Sequence, residues 1–317
     1  MVEPNRPVLT PQLTDWIRQV AGRQDPRVGP ATPVAPLQTR GLPTRPFAPG
    51  YAQVFICAGV VVKLHAPHTD ARLLETRLLA VREPDIEPMW VQPLGYRPLL
   101  APDGRLTTLW PRVTVLSTVD RPPWAEAAGL LARLHRVPLR RSRSHRVPGD
   151  DPPTHGGPAR LRRALGWLRD SGGADLAWLG RDGESLLAAL QAAPATTWVH
   201  GDFHLGQLGH TLLRRSWKLL DVDDLGAGDP AWDLARVAGF WAAGLLPDDT
   251  WQGFLAAYRE AGGIAAGASG DPWPLLDLPA RAAVLVAAVQ TLRLPPTPDS
   301  AHTAEALLQA CRRMHDG

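Results

Sequence analysis

The segment from Val199 to Ala235, VHGDFHLGQLGHTLLRRSWKLLDVDDLGAGDPAWDLA, holds three histidines and six aspartates among apolar and small residues. His200 and His204 bracket Asp202, Gln207 stands five positions after Asp202, and the apolar run WKLLD ends on Asp221. Three chemistries compete for these residues. Aspartates in GAGDP and PAWDLA suit turn and helix-start caps, which accounts for Asp229 and Asp233. Capping leaves the alternating His-Asp-His and the amide beyond it without a purpose. A metal centre is the second reading: on a strand, His200, Asp202 and His204 would share one face and offer the ligands that a metal-dependent hydrolase or oxygenase requires. Against it, the two glycines of GDFHLGQ suit a loop.

Phosphoryl transfer is the third reading. It needs a carboxylate to orient the attacking hydroxyl and take its proton, oxygen ligands for magnesium on the nucleotide phosphates, and a cation to position those phosphates. In the protein-kinase pattern the catalytic Asp follows His by two, a metal-binding amide lies five after that Asp, and a second Asp opens a loop after a short hairpin. His200, Asp202, Gln207 and Asp221 have this order and spacing. Upstream, Lys63 closes the strand-like VVVK where the pattern has its phosphate-binding lysine, and Glu75 on the next helix is a candidate ion-pair partner. Lysine is otherwise almost absent: Lys63 and Lys218 are the only two, and every other Lys-or-Arg position is Arg.

These residues need a scaffold to position them. A short helix in TPQLTDWIRQVAGR has Thr10 as N-cap and Pro11 at its first position, and a Pro- and Gly-rich loop follows to about Gly50. From Tyr51, YAQVFICAGVVVKLHA reads as two antiparallel strands turning near Gly59. A helix capped by Asp70 carries Leu73, Leu74, Leu78 and Leu79 on one stripe, and two strand-like runs, WVQPLGYRPLLA and RLTTLWPRVTVL, flank the turn APDG. After Trp124 the chain turns helical, interrupted by the Arg- and Pro-rich stretch near 139–158, which reads as a solvated surface loop. Seven helices are expected, the last four after the Asp-rich segment. The fold class is therefore α+β. Residues 1–40 form an N-terminal helix and loop, 41–110 a small antiparallel sheet with one helix, and 111–317 a larger, mainly helical part.

Composition narrows the function classes. With 317 residues, 44% hydrophobic content and 21% charged, the chain has the make-up of a globular protein with room for two cores. Net charge is +3 and the arginines are dispersed, so no nucleic-acid partner is implied. Two cysteines, Cys57 and Cys311, are too few for a disulfide framework and fit a reducing cytoplasm. No run of about twenty apolar residues lacks charge, and the start has no basic-then-apolar pattern, so neither membrane insertion nor export is expected.

HGDFHLGQ followed by LLDVDDLGAGDPAWDLA resembles the aminoglycoside phosphotransferase and choline kinase superfamily, and the likeness extends from about Gly50 through LARLH, Leu131 to His135, as far as Ala235. The resemblance implies a bilobal protein-kinase-like fold and an ATP- and Mg-dependent kinase acting on a small-molecule hydroxyl. It implies Asp202 as base, Asp221 as magnesium ligand with Gln207 beside it, and Lys63 on the phosphates. His200, His204 and Asp223 would support the loop, and Gly50, Trp110 and Val113 would lie along the nucleotide, with the adenine near the connector Leu109 to Val113. Two departures stand out. The family usually has Asn where this chain has Gln207, although a similar HLGQ occurs in maltokinases and related sugar kinases, and the glycine-rich nucleotide loop is reduced to Gly50. The acceptor stays open. Asp224 with Asp223, Asp248, Asp249 and Glu260 would suit a polycationic aminoglycoside, whereas Trp232, Trp241, Trp251 and Tyr258 would suit a sugar, though helical spacing also fits them as core. A nucleotide-binding pseudokinase is the non-enzyme alternative.

Overall fold

The computed structural model describes residues 9–37, 52–116, 121–139, 152–211, 214–294 and 297–316. Gly50 and the greater part of the Arg- and Pro-rich loop lie outside them. The chain divides into two compact units, one made of 1–120 and 208–222, the other of 121–207 and 223–317.

The first unit is built on a five-stranded antiparallel sheet. Helix α1 (Pro11–Gly22) opens as its sequence dictates, with the Thr10 hydroxyl accepting the Leu13 N–H at 3.2 Å and Pro11 at the first position. Strand β1 (Val34–Pro36) comes next, in a stretch that reads as loop; its proline, Pro36, is tolerated because it is an edge strand. Strands β2 (Gln53–Cys57) and β3 (Val60–Leu64) form the expected hairpin. Asp25 ties this turn to the end of α1, accepting the Gly59 N–H at 3.0 Å while Arg27 pairs with the same carboxylate. Helix α2 (Ala71–Ala80) starts at Asp70, whose side chain caps Leu73 N–H at 2.8 Å.

Strands β4 (Leu99–Leu100) and β5 (Leu106–Pro111) complete the order β1-β2-β3-β5-β4. The run WVQPLGYRPLLA contributes only this two-residue strand, because Pro93, Gly95 and Pro98 break the pairing. Ile17, Val20 and Ala21 of α1 pack on Phe55, Val62, Leu64 and Leu109, so the first helix belongs to the core of this unit. A small second sheet joins β6 (Thr114–Val115), β8 (Leu208–Thr211) and β9 (Arg214–Leu219) in the order β6-β8-β9. This hairpin delivers Asp221.

The second unit is helical except for β7 (Thr197–Val199), paired antiparallel with β10 (Gly226–Gly228). Its helices are α3 (Trp124–His135), α4 (Gly157–Ser171), α5 (Ala177–Ala192), α6 (Ala231–Ala242), α7 (Asp248–Glu260), α8 (Trp273–Leu292) and α9 (Pro298–Asp316). Their number and order match the periodicity. Helix α8 begins earlier than its sequence invites, at Trp273, and runs through Pro279. By length and composition α8 is apolar enough to cross a bilayer, yet it carries Asp277 and Arg281 and sits among α4, α5, α6 and α9. Leu161, Leu165, Leu285, Val289 and Leu307 form the core it organises.

Helices α6 and α8 approach closely because Gly239 has no side chain: a Cβ there would lie 2.8 Å from the carbonyl oxygen of Ala280 and 2.8 Å from a methyl of Val284. Helix propensity alone would favour Ala over Gly by about 1 kcal/mol. Overpacking against backbone reverses the sign, and Gly239→Ala is expected to lower the unfolding free energy by about 1–3 kcal/mol, read from urea denaturation.

Candidate active site

In the second unit the chain leaves β7 at Val199 and turns at Gly201, whose φ of +82° suits glycine and whose missing side chain leaves room for the carbonyl of Asp224. The turn ends the strand alternation that would have aligned His200, Asp202 and His204. One buried carboxylate holds it. Asp233 of α6 accepts the N–H of His200 at 2.6 Å and of Gly201 at 2.8 Å, and His135 Nε2 lies 3.0 Å from the same carboxylate. Burial pushes the Asp233 carboxyl up, but the His135 hydrogen bond, the nearby imidazoles and the His200 amide outweigh it and hold the group below its ordinary value.

Past the turn, the Asp202 N–H faces His200 Nδ1 at 3.4 Å, and His204 Nδ1 accepts the Gly206 N–H at 3.0 Å. Gln207 closes a 3₁₀ turn, Leu205–Gln207, its N–H donating to the His204 carbonyl at 2.8 Å. The two histidines thus brace the loop with their ring nitrogens. Among the described residues no group of three His, Cys, Asp or Glu side chains is placed to hold a metal ion, so the three-ligand His200, Asp202 and His204 reading is not what the loop builds.

The Asp202 carboxylate meets two arginines that the sequence does not advertise. Arg160 of α4 donates to Oδ2 at 2.8 Å and also pairs with Asp224. Arg236 of α6 approaches Oδ1 at 4.0 Å. These groups border a cavity of about 50 Å³ whose other walls include Trp232, Ala283, Val286 and Gln290. Asp223 is half-buried just ahead of Asp224.

In the first unit, Lys63 Nζ on β3 lies 2.7 Å from Asp221 Oδ1. Glu75, the expected partner of Lys63, instead meets Arg97 at 3.2 Å, in a pair whose arginine side chain is 89% exposed and which therefore fixes little. Asp221 has φ +62°, a left-handed conformation that Asp tolerates better than most residues. Trp90, unremarked in the sequence, secures it: the buried indole N–H donates to the Asp221 carbonyl at 2.9 Å. Lys218 in turn donates to the Trp90 carbonyl at 3.4 Å. Trp110 is nearly buried on β5 with its indole on Thr108 at 2.9 Å, and Val113 is half-buried just beyond that strand.

Two candidate acceptor contacts have protein partners instead. Tyr258 is fully buried, its hydroxyl bonded to His135 Nδ1 at 2.7 Å and to the Ala265 N–H at 3.1 Å. Trp241 stacks on Trp251 with ring centroids 5.5 Å apart and donates to Asp248 at 2.7 Å. Neither lines the cavity beside Asp202. Asp224 reaches the site through Arg160.

Removing the Asp233 carboxylate strands two buried N–H groups and His135. Asp233→Ala is expected to cost about 3–5 kcal/mol of unfolding free energy in chemical denaturation. Because the folded carboxyl lies below its ordinary value of 3.8, its stabilisation is complete above that pH and fades as pH falls through and below it. The stability gap between the wild type and Asp233→Asn is therefore expected to narrow below about pH 4, measured as urea midpoints across a pH series.

With this geometry in hand, comparison with known proteins places the chain. None of the curated proteins matches it. A solved choline/ethanolamine kinase family protein from Mesorhizobium loti superposes with a TM-score of 0.58 at 17% identity, covering 96% of this chain and 95% of that one. Choline kinase from Cryptosporidium parvum gives 0.59 at 11% identity, with 96% of each chain covered. Aminoglycoside 2'-phosphotransferase-IIIa, solved as its GDP complex, gives 0.57 at 14% identity over 95% of this chain and 99% of that one. At such identities the likeness is one of fold, the bilobal protein-kinase-like fold that HGDFHLGQ anticipates. The model of the phosphotransferase enzyme family matches residues 55–274, more than two-thirds of the chain and both sets of residues described above; the chain belongs to that family and is a small-molecule kinase.

Proposed function

We propose that the protein transfers the γ-phosphoryl group of ATP, with magnesium, to a hydroxyl of a small molecule, and that Asp202 is the base. The observation that carries this reading is the state of the Asp202 carboxylate. Arg160 fixes Oδ2 at 2.8 Å, while Oδ1, 4.0 Å from Arg236, is too far from it to hydrogen-bond, and the residue lines the cavity. One oxygen is anchored and the other can accept the acceptor's proton. The loop beneath is braced by Asp233, so the carboxylate is positioned before the acceptor arrives.

Lys63, at the end of its strand, places the phosphates, and the hard oxygen donors of Asp221 suit magnesium, which is commonly held by one or two protein oxygens together with phosphates. The ion, when bound, supplies charge neutralisation for the transferred group. Trp90 serves Asp221 as Asp233 serves Asp202, fixing the backbone so that the carboxylate has one position. The pseudokinase reading gains nothing from this arrangement, since Lys63, Asp202 and Asp221 are all present. The aminoglycoside enzyme above was solved with GDP, which makes GTP a necessary second donor in any assay.

Asp202→Asn keeps the size and polarity of the side chain and removes its basicity. Its turnover, followed as ADP or GDP release with an accepted hydroxyl compound, is expected to fall by about a hundredfold or more while nucleotide affinity is retained. Wild-type turnover by this variant would remove Asp202 from the base role. Trp90→Phe, which deletes only the indole hydrogen bond, is expected to weaken use of Mg·ATP by about tenfold with little change in the acceptor's KM.

A further inference from the structure

The cavity beside Asp202 has a charge pattern that bears on the acceptor. Its lining holds one carboxylate, Asp202, and two arginines, Arg160 and Arg236. Of the acidic side chains that would have suited a polycation, Asp224 pairs with Arg160 and Asp248 with the Trp241 indole, and neither these two nor Asp223, Asp249 and Glu260 line the cavity. Arg160 spans two carboxylates. Arg236 does not: among the described residues its ion contact is the 4.0 Å approach to Asp202, with no hydrogen bond, and its guanidinium lies over the Phe240 ring at 5.3 Å from the centroid. Its side chain is 30% exposed and borders the cavity.

Opposite these charges stands an apolar wall. Ala282, Ala283, Val286 and Ala287 of α8 face the cavity, and one amide, Gln290, ends the row. Arginine's planar fork matches a carboxylate through two parallel N–H bonds, and a fixed cation with few hydrogen bonds of its own is a site for an anion. Only one such arginine is present, which suits a monoanion better than a dianionic phosphate ester. The cavity, about 50 Å³, has room for a short carbon chain along this wall.

We propose that the acceptor is a short-chain hydroxy acid, its carboxylate on Arg236, its carbons against Ala283, Val286 and Ala287, and its hydroxyl on Asp202 Oδ1. The assignment rests on the kinase reading above and gives it a substrate class. In the reaction the hydroxyl oxygen forms a bond to the γ-phosphorus of the nucleoside triphosphate as the bond from that phosphorus to the β,γ-bridging oxygen breaks. The hydroxyl proton passes to Asp202, and the nucleoside diphosphate leaves with the bridging electron pair. Arg236 takes no part in the bond changes; it selects and orients the acid.

The test uses the full chain with Mg·ATP and Mg·GTP, measuring nucleoside diphosphate release and, by calorimetry, binding of the same compounds. The acceptors are glycolate, lactate, 3-hydroxybutyrate and 4-hydroxybutyrate, the methyl ester and the amide of each, and kanamycin and choline. At least one acid is expected to bind and be phosphorylated, with its ester and amide about ten- to hundredfold weaker. Arg236→Gln is expected to raise the acid's KM by a similar factor and to erase the preference over the amide, while Arg236→Lys, which keeps the charge and loses the fork, falls between. The comparison of acid with amide on the unaltered protein needs no variant to fold. Phosphorylation of kanamycin or choline with none of the acids overturns the proposal and leaves the kinase reading standing. Arg236-dependent binding of an acid without phosphoryl transfer supports the pocket assignment and overturns the kinase reading. Neither binding nor transfer of any acid overturns the proposal outright.

Discussion

The buried carboxylate of Asp233 is the constraint on which the site depends. It sits inside α6 with no exposed side-chain surface, and burying a charge there is costly unless donors surround it. Two backbone N–H groups and one imidazole do so, and all come from other parts of the second unit: the turn after β7 and the end of α3. The same bonds that make the charge tolerable fix the loop carrying Asp202. Thr197 reinforces the junction, its hydroxyl donating to the His135 carbonyl at 2.6 Å. Loop geometry, helix packing and the burial of a charge are thus one problem with one solution.

A similar economy governs the other charges. Lys63 and Asp221 neutralise each other at 2.7 Å, and Arg160 is shared by Asp202 and Asp224. Burial and the neighbouring Arg160 both disfavour the charge on Arg236, lowering its affinity for its proton below the ordinary guanidinium value even though Asp202 opposes them. Arginine nonetheless stays protonated throughout the ordinary pH range. The cavity therefore holds a fixed positive charge that the protein satisfies only in part. Its aliphatic wall comes from α8, whose small side chains also let α6 pack close through Gly239.

Much of this could be read from the sequence wherever the controlling interactions are local. Thr10 and Asp70 cap their helices from three positions away, and the β2–β3 hairpin needs only adjacent residues. The spacing of His200, Asp202, Gln207 and Asp221 is likewise local. What the sequence does not display is held together across long separations: Trp90 lies 131 positions from the Asp221 it anchors, and Arg160 belongs to a helix with no motif. Arg236 was hidden by its setting, one more arginine among many on an amphipathic helix. Asp233 was expected as a cap and is instead a buried acceptor; nothing within its own helix announces His135, 98 positions earlier. Tyr258 misled for the opposite reason, since a tyrosine at helical spacing looks the same whether its hydroxyl meets a ligand or a buried histidine. Glu75 followed from a pattern of other kinases, and in this chain its carboxylate lies on Arg97.

The hairpin of β8 and β9 is inserted into the chain between Gln207 and Asp223, yet it belongs to the first unit. On the proposed assignment, the residues that handle phosphates and carry the metal-binding carboxylate, Lys63 and Asp221 with Trp90 behind them, are all built by one compact body. The base and the wall that selects the acceptor are built by the other. Selection for a new acceptor can then act on α4, α6 and α8 while leaving the packing around Lys63, Trp90 and Asp221 untouched. A family organised in this way can diversify its chemistry of recognition without reinventing its chemistry of transfer.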